Sequence, residues 1–307
     1  MSKLRISVVQ YLNTAPLVRG FTHGSLQGKY HLSFTVPAQC AEDLRSAAAD
    51  IAIIPAIEYQ RIPGLTILPG MAVASRERVR SLLLVSRLPI RQARHIALDR
   101  SSRSTQALVR ILCDARWGIT PEFTEAAPEL SAMLAASDAA LLIGDPALRL
   151  AIAAEARVAP GKDGEWLCSG AQLGLRDIPK LHIYDVVHEW WRLTGRPAVL
   201  AVWAARGAAV TPELVADFTA SLSFGLSQLP QIAAEAAAEL QLPERELLLY
   251  LRTNIDYSLD EDNLRGLIAY YTHAARLGLI EKLNTISIAG SASVPAQFHD
   301  FVVRRNA

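Results

Sequence analysis

The sequence predicts a two-lobed α/β protein. Short apolar runs alternate with amphipathic stretches through residues 4–80, a second block of the same kind occupies residues 95–143, and two strand-like segments, Ser81–Ser86 and Ala198–Ala204, flank that block. Alternating strands and helices mark βα units around a mostly parallel sheet. An inserted block between two isolated strands is what a chain needs to pass from one lobe to another and return.

In the first block, strands are expected at Leu4–Val9, Leu32–Val36, Ile51–Ile54 and Leu65–Leu68. Cys40, Ala41, Leu44 and Ala48 recur at helical spacing and predict a crossover helix over Ala38–Ala47. The second block reads as strand His95–Leu98, helix Ser104–Arg116, strand Glu122–Glu125, helix Glu129–Ala135 and strand Ala139–Ile143, and a helix over Asp185–Thr194 follows later. Taking Ser81–Ser86 and Ala198–Ala204 as the hinge gives lobe one as residues 1–86 plus 199–285 and lobe two as residues 87–198. Thr211, Pro212 and Glu213 supply a capping hydroxyl, a proline at the first helical position and an early acid, which together start a helix. Three or four helices follow to about Ile280 and form a C-terminal helical segment; the Ser- and Ala-rich residues 286–307 are set apart as an arm.

Composition removes several classes of function. The 307 residues are 51% hydrophobic, enough for two cores. Charged residues make up 20% and nearly cancel, 31 basic against 30 acidic for a net charge of +1, which leaves no footprint for a nucleic-acid or membrane-surface partner. The first apolar stretch, Ile6–Val9, is too short for a secretory signal, and no run approaches the roughly 18–20 apolar residues of a membrane span. A soluble, cytoplasmic protein is expected. Cys40, Cys113 and Cys168 are odd in number and far apart, which fits a reducing compartment. No GxGxxG follows the first strand, there is no Walker loop, HExxH or GxSxG, and the seven histidines are scattered. No metal, organic cofactor or obligate protein partner is expected.

What remains is a set of polar loops at the carboxyl ends of strands, where open α/β sheets bind ligands. Tyr11, Leu12, Asn13 and Thr14 follow the first strand; Asn13 or Thr14 caps the next helix, or the Asn13 amide points into the cleft as a donor and acceptor. Ser101, Ser102, Ser104 and Thr105 surround a helix start after Asp99, where hydroxyls, free N–H groups and a positive helix end make a cradle for a carboxylate or phosphate. Arg100 and Arg103 beside them contribute to that cradle or are solvated. Gly144 permits close approach of a ligand to backbone, and Asp145 either faces the cleft or caps the helix that begins at Pro146. Of Arg76, Glu77, Arg78, Arg80 and Ser81, Glu77 and Arg78 read as a solvated face and Ser81, where the lobes meet, as the site candidate.

The segments YLNTAPL (Tyr11–Leu17), ADIAIIPAIEY (Ala49–Tyr59), Ile67–Leu84, ALDRSSRST (Ala97–Thr105), ALLIGDPAL (Ala140–Leu148) and EWWRLTGRPAVLAVWA (Glu189–Ala204) resemble, in order, those of the chorismate dehydratases of the futalosine route to menaquinone. The helical stretch Tyr250–Leu279 is also similar. The resemblance implies the two-lobed fold of type II periplasmic binding proteins and the removal of water from chorismate, without metal or cofactor, to give 3-[(1-carboxyvinyl)oxy]benzoate. It further implies that the substrate's enolpyruvyl carboxylate takes the proton and that Asn13 orients it or assists the departing hydroxyl. Tyr11, Ser81, Ser102, Ser104, Thr105, Gly144 and Asp145 would then bind substrate. The sister dihydroxynaphthoate synthases share the fold but open with a Ser/Pro/Asn/Asp-type loop where this chain has YLN. Ala198, Val199 and Leu200 depart from the family's usual Phe-Val-Phe. Two rival readings are a cytosolic protein that binds or senses a small carboxylate without transforming it, and the sister synthase.

Overall fold

A computed structural model of the chain describes residues 3–155, 159–160 and 165–290. The chain opens with β1 (Arg5–Val9), a tight 3-10 turn at Leu12–Thr14 and α1 (Ala15–His23), then β2 (His31–Thr35), α2 (Pro37–Arg45), β3 (Ile51–Pro55), α3 (Ala56–Arg61) and β4 (Leu65–Ser75). Next come β5 (Leu82–Ser86), β6 (His95–Asp99), α4 (Arg103–Leu112) with a wider turn at Cys113–Trp117, β7 (Glu122–Ala126), α5 (Leu130–Ala136), β8 (Ala139–Ile143) and α6 (Gly144–Glu155). The chain continues through β9 (Ala159–Pro160), β10 (Trp166–Cys168), β11 (Leu181–Asp185), α7 (Val186–Thr194) and β12 (Ala198–Arg206). Four helices close it: α8 (Pro212–Ser227), α9 (Leu229–Leu240), α10 (Glu244–Leu249) with a wide turn at Tyr250–Asn254, and α11 (Glu261–Arg276). Most of the arm at 286–307 lies outside the described residues; its first part runs beside β4, with Ile67 N–H donating to the Ser287 carbonyl at 2.9 Å.

Two mixed sheets result. The first has the order β2-β1-β3-β12-β4, with β1 parallel to both neighbours and β12 antiparallel to β3 and β4. The second has the order β7-β6-β8-β5-β11-β10-β9, parallel from β7 to β8 and antiparallel beyond. The large core spans the first sheet and one face of the second; a smaller core of Leu83, Val85, Met133, Leu142 and Ile183 lies on the second sheet's other face.

The expected hinge is replaced by a different crossing. β5 sits in the middle of the second sheet, between β8 and β11, and all five of its residues are buried. Leu82 and Leu84 enter one core, Leu83 and Val85 the other. A continuous apolar run of this kind belongs to a strand covered on both faces, so β5 belongs with residues 95–185 and not with β1–β4. β12 lies in the first sheet as expected. The chain therefore crosses between Ser75 and Leu82 and returns between Asp185 and Ala198.

One carboxylate ties the two crossings together. Asp185 Oδ1 accepts the N–H groups of Val187 and His188, capping α7, while Oδ2 accepts those of Val79 and Arg80 at 3.0 and 2.6 Å. Arg80 takes a left-handed φ of 64°, a conformation that costs a non-glycine residue about 1 kcal/mol or more and persists only where its surroundings fix it. Here Asp185 holds its N–H and Glu246 its guanidinium at 2.8 Å.

The first loop of the site is set by close packing of α1 on α8. A Cβ on Gly225 would fall 1.9 Å from the Pro16 carbonyl oxygen, so only glycine lets α8 approach there. Thr211 caps α8 by accepting the Leu214 N–H at 3.1 Å, as Thr211, Pro212 and Glu213 foretold.

Replacing Asp185 by Ala should leave three buried N–H groups and the part-buried one of His188 without their acceptor and cost about 2–4 kcal/mol of stability. Urea unfolding within 0.5 kcal/mol of the parent, on the scale of an ordinary surface change, would contradict that clamp.

Candidate active site

A single small cavity between the sheets gathers Tyr11, Asn13, Ser102, Ser104, Thr105 and Gly144. Val73, Leu82, Ile143 and Leu200 give it apolar walls. Its volume, about 50 Å³, is far below the roughly 300 Å³ or more of ordinary small-molecule sites. As described, it is too small to hold a ligand of that class.

Its polar character comes from backbone ends rather than from charges. α1, α2, α4 and α6 all begin at the cavity, through Thr14, Pro37, the trio Ser102, Ser104 and Thr105, and Gly144. The residues ahead of α1, α2 and α4 make no capping side-chain bond. The opening N–H groups of α1, α2 and α6 are spent within the protein, Ala15 on the Leu12 carbonyl, Ala38 on Ser101 and Gly144 on Ser81, so it is the positive helix ends, with the first turn of α4 foremost, that favour a bound anion. Among the described residues, no Asp, Glu, Lys, Arg or His lines the cavity.

Asn13 does not cap a helix. It lies inside the Leu12–Thr14 turn, and its buried Oδ1 has no hydrogen-bond partner. Thr14 turns inward instead, its hydroxyl donating to the carbonyls of Val9 and, at 2.8 Å, Tyr11. Tyr11 packs its ring on Gly144, where a Cβ would come within 2.8 Å of the ring and where φ is +66°. Its hydroxyl reaches Ser101 Oγ at 3.4 Å, and burial pushes its phenol above the ordinary value.

The serine-rich loop is partly used in holding the sheets' helices together. Ser104 Oγ accepts the Ile57 N–H at 3.0 Å and the Ser104 carbonyl accepts the Tyr270 hydroxyl at 2.9 Å. Ser104 thus brackets α4 to α3 and α11, and its own proton is free to donate elsewhere. Ser102 Oγ donates to Thr105 Oγ1 at 2.8 Å. Arg103 is not solvated: it pairs with Glu42 at 2.7 Å and with the fully buried Glu58 at 3.1 Å, and Glu58 also meets Arg45 and Arg61. Arg78, read from sequence as part of a solvated face, instead lies 4.0 Å over the Trp166 ring.

Ser81 and Asp145 stand outside the cavity lining. Ser81 is 1% exposed, and its Oγ accepts the Tyr250 hydroxyl at 2.8 Å. Asp145 reaches across to the first loop, where Oδ1 accepts the Leu12 N–H at 3.2 Å. Burial pushes its carboxyl up to about 6, against the pull of that N–H, with Glu239 adding to the rise and Arg149 opposing it. Sequence reading missed Tyr250, which lies 169 positions from Ser81 and carries no local signal.

This geometry can be set beside known proteins. A family profile described as "Menaquinone biosynthesis" matches residues 4–276. The chain belongs to the menaquinone biosynthesis family. Within reach of this chain is a chorismate dehydratase of Thermus thermophilus, 29% identical over 277 residues that cover 89% of this chain and 95% of that one. Among solved structures, a protein of Archaeoglobus fulgidus superposes with a TM-score of 0.68 at 18% identity, over 91% of this chain and 98% of the other. The alkanesulfonate-binding protein of Xanthomonas axonopodis does so with 0.62 at 16%, over 92% and 95%. At such identities these structures establish the fold, that of periplasmic binding proteins. Among the described residues no helix is long and apolar enough to cross a membrane.

Two outcomes test the geometry. A carboxyl raised from 3.8 to about 6 contributes stability that is complete below its ordinary value and is lost as pH rises through about 6. Asp145→Asn keeps an oxygen for Leu12 without the charge, so it should raise Tm over the parent at about pH 8 and match it at about pH 4. Equal Tm at both values would remove Asp145 from that role. Gly144→Ala should displace Tyr11 and lower stability by about 1–3 kcal/mol through steric conflict and a strained φ, measured by thermal unfolding.

Proposed function

We propose that this protein is a chorismate dehydratase, removing water from chorismate to give 3-[(1-carboxyvinyl)oxy]benzoate on the futalosine route to menaquinone, in the cytoplasm. The single observation that carries this reading beyond the family is the cavity's lining: several helix N-termini, neutral hydroxyls and an amide, and among the described residues no charged side chain. Such a lining suits a dianion whose charges are met by N–H dipoles. It also suits a reaction whose base is supplied by the substrate.

Chorismate carries two carboxylates and a ring hydroxyl. In the proposed reaction the C–H bond beside the hydroxyl-bearing carbon breaks and its proton goes to the enolpyruvyl carboxylate. The electron pair becomes part of the aromatic ring as the hydroxyl leaves, taking up that proton to depart as water. Aromatisation supplies the driving force, and the protein positions groups and excludes bulk water. Asn13 is assigned to orient the enolpyruvyl carboxylate or assist the leaving hydroxyl, because its amide is the one polar side chain in the first loop with an unmatched buried atom. Ser102, Ser104 and Thr105 with the first turn of α4 are assigned the second carboxylate, Tyr11 and Gly144 the floor. Binding begins with the two sheets parting about the crossings at 76–81 and 186–197, which we take as the lobe boundaries.

Incubation of the purified chain with chorismate should abolish the diene absorbance and give a product lighter by one water, read by mass spectrometry. Binding without loss of the diene would favour a protein that binds or senses a small carboxylate without transforming it. Asn13→Asp sets a negative charge against a dianion and should abolish turnover with the fold intact. A double change of Ser104 and Thr105 to Ala should weaken binding by about 1–3 kcal/mol; native affinity in a folded double variant would return these hydroxyls to a purely structural role.

A further inference from the structure

Behind the cavity, a tyrosine from the C-terminal helices reaches two of the polar residues named above. Tyr250 opens the wide turn after α10 and is 1% exposed. Its hydroxyl donates to Ser81 Oγ at 2.8 Å, and the same hydroxyl adjoins the Asn13 amide. Burial drives the phenol well above its ordinary value, so the proton stays on it at any working pH.

Ser81 itself has little freedom left. Its carbonyl accepts the Gly144 N–H at 2.8 Å, the residue before it is clamped by Asp185, and the residue after it, Leu82, lines the cavity. Only the hydroxyl rotor remains to be set. A serine oxygen that accepts one bond keeps its own proton for a second partner, in a direction fixed by the first. Tyr250 is that first partner.

We propose that Tyr250 is a positioning residue for the dehydration: by donating to Ser81 Oγ, next to the cavity wall at Leu82, it turns the Ser81 proton toward the departing ring hydroxyl once the sheets have parted around the substrate. This rests on the chorismate dehydratase reading and extends it to a residue far from the cleft loops in sequence.

The test is steady-state kinetics on chorismate for the full chain, Tyr250→Phe, Ser81→Ala and the double variant. Tyr250→Phe should keep its Tm, hold KM within about twofold and lose about tenfold or more in kcat. On the Ser81→Ala background the same change should cost nothing further, because the acceptor is already gone. Native kcat in folded Tyr250→Phe overturns the proposal, as does its full loss repeated on top of Ser81→Ala. Should Tyr250→Phe fail to fold, Ser81→Ala carries the test: a loss confined to kcat supports the proposal, and native kcat or a change confined to KM overturns it. A parent chain inert toward chorismate overturns the functional reading and this proposal together, whereas an active parent indifferent to Tyr250 overturns this proposal alone.

Discussion

The Asp185 carboxylate is the point on which the architecture turns. The chain passes between its two sheets twice, and at both passages backbone N–H groups would be buried without helix or sheet partners. A single side chain meets four of them: two that begin α7 and two in the segment leading to β5. Although those segments are more than a hundred positions apart, the β5–β11 pairing sets Asp185 opposite Leu83, and the carboxylate carries that contact past the strand end to Val79 and Arg80. The clamp also makes the left-handed Arg80 tolerable, and from there the chain enters Ser81 and the cavity wall at Leu82. Fold and site thus share one support.

Much of this was readable from residue order. β8 occupies the expected Ala139–Ile143, and the strands at His31, Ile51, His95 and Glu122 differ from expectation only at their ends. Periodicity carries such elements because burial of one face is decided locally. β4 runs on to Ser75 where a stop at Leu68 was expected, since Pro69-Gly70 reads as a turn. The strand instead continues through an irregularity, with Ile67 and Ala72 opposite Ala204 and Val202. β5 was placed in the wrong sheet because an apolar run reports burial and not its neighbours. In the site, six of eight candidates meet in one cavity because loops at strand ends converge in open sheets. Tyr250 and the Arg103–Glu58 pair were invisible, as both depend on contacts that no local pattern encodes.

The helix that carries the serine-rich loop does two jobs at once. Its hydroxyls and N–H groups face the cavity, while Ser104 and Arg103 fasten it to helices beside the first sheet. A ligand that settled against α4 would therefore touch the element that also ties the second sheet's helix to those of the first, and by preferring that arrangement would stabilise it.

The uncharged lining has a consequence for selectivity. Among the described residues the lining carries dipoles in place of ionised side chains, so the polarity of its wall is set by helix ends and not by a counter-charge within it. A carboxylate entering it would lose water but meet the positive ends of helices and the hydroxyls of the α4 loop. An ammonium group entering it loses water and faces the positive ends of helices with no carboxylate to receive it. On the function proposed above, the site would sort its visitors by sign before it sorted them by shape: an analogue that exchanges a ring hydroxyl for an amine would be turned away by electrostatics even where its outline fits.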